Sequence, residues 1–197
     1  MVVANLSMSD LPSPNPLPEG EGFPCLPLPS GEGRGEGNFF TLLGLEKNFD
    51  IDLHLLEKSY FAAQLKFHPD RLAGKPLNER SEAIAKSMQI NSGYETLKSP
   101  LKRALYLLKL SGIKYDDVKP SNEILMEIME IREAIAEAEN AEKIVKIAND
   151  IEFKKASILK LLNNDFSKQD IESALSLTTK LSYISKIEEE LKAKKRY

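Results

Sequence analysis

His68 and Asp70 flank Pro69, which places an imidazole and a carboxylate on one stiff stretch of chain. Such a pair can act as an acid-base couple, as part of a metal site, or as a turn read by another molecule. Acid-base catalysis would call for a nucleophile, a metal or a phosphate-binding loop nearby. None stands in the sequence, since Gly74-Lys75 is followed by Pro76 and lacks the upstream glycine of a P-loop. A metal site fails on ligand number: Cys25, His54 and His68 are the only cysteine and histidines, too few for an all-protein Cys/His zinc site or for a structural disulfide. No cofactor or metal is expected. The recognition turn remains, but an ordinary helix stop with a turn aspartate and a bystander histidine would use the same letters. The flanking elements have to decide.

Upstream, residues 52–67 carry Leu53, Leu56, Tyr60, Ala63 and Phe67 at spacings of three and four, one face of a helix with Asp52 at its N-cap. Downstream, after a polar connector with Gly and Pro, Ile84, Met88, Asn91, Tyr94 and Leu97 repeat the spacing. The tripeptide therefore lies in a helix-helix loop. Pro69 disfavours the α region for His68 and lacks an N–H, so it ends the first helix and presents His68 and Asp70 from a stiffened turn. Lys58 and Lys66, with Ala62 between them, lie away from the apolar stripe, and Arg71 and Lys75 follow in the loop. Solvated lysines are common on any helix; beside this turn the cluster can also steer an acidic partner surface.

The first 37 residues differ in kind. Residues 11–37 hold seven of the eleven prolines and six of the ten glycines, and LPEGEG at 17–22 recurs as LPSGEG at 28–33. This composition predicts a disordered, low-complexity segment, read as an in-frame insertion of repetitive sequence. With one Arg and five acidic residues it resembles no transit peptide, and it lacks the basic start and apolar core of a secretory signal. A bacterial cytoplasmic protein is the simplest expectation. The remaining 26 basic and 25 acidic residues nearly cancel, so net charge selects no partner and supplies no excess for nucleic acid. A chain of 197 residues, 42% hydrophobic, without an apolar run near twenty residues, predicts one or two small soluble domains and no membrane span.

After Gly112 and a polar turn to Pro120, three helical patterns follow over residues 121–139, 141–162 and 167–194, the last capped at Ser167 with Asp170 three residues on. Short loops make neighbours antiparallel and predict a three-helix bundle. Its core stripes are Ile144, Ile147, Ile151, Ile158 and Leu161 on the second helix, and Ile171, Ala174, Leu177, Leu181, Ile184, Ile187 and Leu191 on the third. The first helix is two-sided. Ile124, Ile128, Ile131, Ile135 and Ala138 fall within roughly 80° of one another. Roughly opposite them stand Leu125, Met126 and Met129 beside Glu130, Glu133 and Glu137. That second face could pack on the N-terminal half. Methionines ringed by glutamates also have the makings of an interface, an adaptable apolar centre with a polar rim.

Residues 39–110, with FFTLLGLEKNFDID, LEKSYFAAQLKFHPDRLAG and INSGYETLKSPLKRALYLL, resemble a J-domain of the DnaJ type. With the second half in order behind it, the chain is more closely similar to the HscB co-chaperones of iron-sulfur cluster biogenesis. The resemblance implies an all-α, L-shaped protein. After a tail at 1–37, a J-domain at 38–112 has a helical hairpin and an HPD loop; a linker at 113–120 leads to a scaffold-binding bundle at 121–197. It implies that His68, Pro69 and Asp70, with Lys58, Lys66 and Arg71, meet a DnaK-type chaperone, HscA, and trigger its ATP hydrolysis, the chain catalysing nothing itself. LMEIMEIREAIAE at 125–137 is similar to the segment that binds the scaffold protein IscU in that family, which carries the contact to Leu125, Met126, Met129, Glu130, Glu133 and Glu137. Tyr183 in TKLSYISKI stands where the family has an aromatic on the last helix. Some relatives bear a pair of CxxC motifs for zinc, and this chain has none. A general J-domain co-chaperone is the alternative, but it would be expected to carry a Gly/Phe-rich linker and a zinc-ribbon or β-rich client region.

Overall fold

The computed structural model describes residues 38–67, 76–115 and 118–194. The Pro/Gly-rich tail and the turn with His68, Pro69, Asp70 and Arg71 lie outside the described residues. Among those described, every regular element is a helix: α1 (Phe39–Leu42), α2 (Leu53–Lys66), α3 (Leu77–Lys98), α4 (Pro100–Leu110), α5 (Asn122–Ala136), α6 (Ala141–Lys168) and α7 (Ile171–Lys194). The all-α reading holds.

Local chemistry explains most of the starts. Asp52 Oδ1 accepts the His54 and Leu55 N–H groups at 2.8 and 3.2 Å, the N-cap expected from the sequence. Ser99 caps α4 with Pro100 in its first turn, where a missing N–H costs nothing. Ser121 and Asn140 cap α5 and α6. Gly112, at φ +85°, closes α4: the Ile113 N–H turns back to Leu108 O at 3.0 Å.

In the first half, α3 packs on α1, α2 and α4. Phe39 stacks on Tyr106 with centroids 4.8 Å apart, and the Tyr106 hydroxyl accepts the Phe39 N–H at 2.9 Å. Gly93 makes room for this, since a Cβ there would lie 3.2 Å from Phe39 Cδ1. The register of α3 differs from the expected stripe. Ala83, Ile90, Gly93 and Leu97 are buried, while Ile84 and Met88 face solvent, because the close approach at Gly93 rotates that file outward. Leu53 is also exposed.

In the second half α7 is the central helix, packed on α4, α5 and α6. Leu181, Ile184 and Ile187 are almost fully buried, each contributing about 1.5–3 kcal/mol. Thr178, Thr179 and Ser182 are buried with them and donate to the carbonyls of Ala174, Leu175 and Thr179 at 2.7–2.9 Å. The α6–α7 boundary corrects the sequence reading. Ser167 lies inside α6 and donates to Asn163 O; it caps nothing. Gln169 at φ 60° ends α6, the Asp170 N–H returns to Asp165 O, and Asp170 Oδ1 accepts the Ser173 N–H. Ser173 Oγ donates to the buried Asp165 at 2.6 Å, a tertiary tie across the turn. Leu162, with Ile151 and Ile158, occupies the α6 core, and the expected Leu161 is exposed. At the other end α5 stops at Ala136, so Ala138 lies beyond it.

The halves share a core. Phe49, from the loop before α2, stacks on Phe166 of α6 at 5.4 Å. The buried Arg103 guanidinium donates to Phe49 O and Leu97 O, both at 2.7 Å, and lies 5.6 Å from the Phe49 ring centroid. Burial lowers its pKa, and Asp50 opposes that. Tyr115, between the halves, donates to Ser182 Oγ at 3.0 Å.

Candidate functional site

Side chains on facing turns lock α2 and α3 into a hairpin. Tyr60 stacks on Tyr94 with centroids 4.1 Å apart. Its hydroxyl donates to Asn91 Oδ1 at 3.1 Å, and the Gln64 amide donates to the same oxygen. One α3 side chain thus ties down two turns of α2. At the loop end, half-buried Phe67 has the Lys66 and Lys86 ammonium groups 5.5 and 5.3 Å from its ring centroid, a cation-π pair that draws positive charge to the base of the turn. Lys66 is therefore folded onto an aromatic, whereas Lys58 is exposed on α2 and makes no ion pair among the described residues.

Lys58 has company that the sequence reading did not single out. With Leu56, Tyr60 and Phe67 turned inward, residues 54, 58, 61 and 65 form the opposite file of α2. Phe61 and Leu65 in it are 57% and 63% exposed. The clue was their spacing from Lys58 by three and seven, hidden because apolar residues on an amphipathic helix are first assigned to the core. The file combines aromatic, aliphatic and cationic groups next to the loop.

On α5, Ile124 and Ile128 are buried, Ile131 and Ile135 partly so. Met126 and Met129 are 63% and 61% exposed, and Leu125 is half-buried between the two sides. The glutamates divide the same way. Glu127 turns inward to Lys154 at 2.6 Å and to Lys180; burial pushes its carboxyl up, but the two ammonium groups outweigh this and hold it below the ordinary value. Glu130, Glu133 and Glu137 are exposed and make no ion pair among the described residues. So α5 carries one glutamate for the fold and three around the exposed methionines. Tyr183, half-buried on α7 under the Lys186 ammonium at 5.9 Å, falls on the flank that includes Lys180 and Glu190. Those two pair with Glu127 and Arg132 of α5. Among the described residues no group of His, Cys, Asp and Glu could hold a metal ion, and no helix is long and apolar enough to cross a membrane.

Residues 38–106 match the family model of the DnaJ domain, and residues 120–192 match one described as the HSCB C-terminal oligomerisation domain. The chain is 35% identical over 161 residues to the iron-sulfur cluster co-chaperone protein HscB of Mus musculus, covering 80% of this chain and 69% of that protein. It is also 35% identical over 159 residues to the co-chaperone protein HscB homolog of Neisseria meningitidis, 78% of this chain and 96% of the relative. Among solved structures, chaperone HscB from Vibrio cholerae superimposes with a TM-score of 0.73 at 32% identity, covering 81% of this chain and 98% of the other. Human co-chaperone protein HscB gives 0.76 at 33%, covering 84% of each.

Proposed function

This chain belongs to the HscB family of J-domain co-chaperones, and on that premise we propose that it binds the iron-sulfur cluster scaffold protein IscU and delivers it to a specialised DnaK-type chaperone, HscA, whose ATPase it stimulates. The observation that carries the reading is a pair of unpartnered faces of opposite charge on different halves. Phe61 and Leu65 stand with Lys58 on α2; Met126 and Met129 stand among Glu130, Glu133 and Glu137 on α5. Two apolar centres rimmed by opposite charge suit two different partners. In this reading residues 38–112 are the J-domain, 113–120 the connection and 121–197 the scaffold-binding part, at work in a bacterial cytoplasm.

The chaperone meets the α2 file and the turn, with His68, Pro69, Asp70 and Arg71 as the trigger and Lys58 and Lys66 steering an acidic surface. The scaffold meets Leu125, Met126, Met129 and the three glutamates, with Tyr183 extending the patch. Holding both at once raises the scaffold's local concentration at the chaperone. The chain itself breaks no bond; ATP hydrolysis belongs to the partner.

The test is ATPase stimulation. His68→Gln and Asp70→Ala are expected to abolish stimulation of the chaperone while leaving the melting temperature and scaffold affinity unchanged. Normal stimulation by either variant would overturn the assignment of the turn.

A further inference from the structure

A cavity of about 280 Å³ opens where the two halves meet. The loop before α2 contributes Phe49 and Asp50, the first turn of α4 contributes Arg103, and a turn of α6 contributes Leu159, Lys160 and Asn163. Polar capacity is left unused here. Asn163 Oδ1 is buried and accepts from no group among the described residues, a costly state that folded proteins seldom leave unanswered. The buried Arg103 donates to the carbonyls of Leu97, Phe49 and Lys98, which leaves part of its five-donor guanidinium uncommitted. Buried cations ordinarily meet a carboxylate; Asp50 acts on this one through space but forms no ion pair with it. Asp50 and Lys160 are exposed at the cavity, and neither is in an ion pair among the described residues.

Each simple occupant leaves part of this lining opposed. An anion such as phosphate suits Arg103 and Lys160, but it meets the Asp50 carboxylate and the Asn163 oxygen, which only accept. A simple cation suits those two acceptors and meets the two positive charges instead. A water serves Asn163 Oδ1 and leaves both cations as they are. A molecule with a carboxylate and an ammonium group on neighbouring atoms, and an apolar side chain beside them, answers all six residues. Size agrees with this. Pockets for drug-sized ligands start at about 300 Å³, so a cavity just below that takes something smaller.

We propose that this cavity binds a free α-amino acid with an apolar side chain. The carboxylate meets Arg103 and Lys160, the ammonium group donates to Asn163 Oδ1 and Asp50, and the side chain lies against Phe49 and Leu159. Because both halves line the cavity, an occupant holds the loop before α2 to α6 and stabilises the joined form by mass action. The site is separate from the α2 and α5 faces and does not depend on which partners those faces meet.

The test is an NMR titration of the full chain with L-leucine. Saturable shifts are expected around Phe49 and Leu159, with a Kd of about 0.1–1 mM, the range open to so small a ligand. N-acetyl-L-leucine lacks the ammonium group and L-leucinamide lacks the carboxylate, so each should bind at least about tenfold more weakly. Lys160→Ala alters an exposed side chain; it should weaken leucine several-fold, as befits the loss of one charge-assisted contact, and leave leucinamide as it was. Asn163→Leu replaces an unanswered acceptor by an apolar group of similar shape. It should raise the melting temperature of the free chain and weaken leucine binding at least about tenfold, a combination that a purely structural asparagine does not give. No saturable shift up to about 10 mM leucine overturns the proposal. So do equal affinities for leucine and its two blocked forms, or binding that neither substitution changes.

Discussion

The α2–α3 hairpin and the α5–α7 bundle are both made of amphipathic helices, yet they dispose of their apolar residues differently. In the bundle α7 has neighbours on three sides and leaves no large hydrophobic residue exposed among its described side chains. In the hairpin α2 meets only α3 closely, buries Leu56 fully, and leaves Leu55, Phe61 and Leu65 in solvent. A helix in an outer layer can bury only the stripe that faces its neighbour. Apolar groups outside that stripe have no folded-state use, and on α2 they accumulate beside a basic residue and the loop. The bundle has comparable places on its outer helices, α5 with Met126 and Met129 and α6 with Val145, Phe153 and Leu161. The difference separates residues that hold the molecule together from those free to meet something else.

The strongest test of this division compares two aliphatic truncations. Ile184→Ala in the middle of α7 should lower stability by about 2–5 kcal/mol, through lost burial and the cavity left behind. Leu65→Ala should change it by no more than about 0.5 kcal/mol, the usual range at exposed positions. Thermal melts of both variants measure the contrast. Equal losses would mean that the hairpin's outer face is part of the fold after all.

A smaller effect is expected at α5. The Met126→Ala/Met129→Ala double variant should keep its melting temperature and its stimulation of the chaperone in the absence of scaffold. Scaffold affinity should fall by about 1–3 kcal/mol, as for truncated interface anchors. A titration beside a melt separates the roles, and a steep loss of stability with unchanged affinity would reassign both methionines to the core.

The mildest effect is that of acid, which should act on the bundle. Glu127 and Glu188 feel burial pushing their carboxyl groups up, but the paired lysines outweigh it and keep both below the ordinary carboxylate value. Carboxylates depressed in the folded state add stability above their unfolded pKa and lose it as pH falls through the folded value. Both sites belong to α5–α7. Denaturant midpoints below about pH 4.5 should therefore drop, and Glu127→Gln should flatten part of that slope. An acid response unaltered by Glu127→Gln would place the sensitivity elsewhere.

Much of this was legible without coordinates because it is local. Asp52 caps α2 through N–H groups two and three residues ahead, and the two sides of α5 follow from helical period alone. The HPD letters and the Met/Glu segment were readable for the same reason. Sequence thus determined the helical class, the order of the elements and the candidate residues on α2 and α5. Tertiary structure decided which of several equally spaced files is buried. Gly93 against Phe39 turned Ile84 and Met88 outward, and Leu162 took the place expected for Leu161. It also carried α6 past Ser167, where the Asp165–Ser173 contact and left-handed Gln169 set the turn. The joining of the halves through Arg103, Phe49 and Phe166 is tertiary as well. Periodicity records only the angle between residues on one helix, whereas burial depends on neighbours that the chain brings back from dozens of residues away.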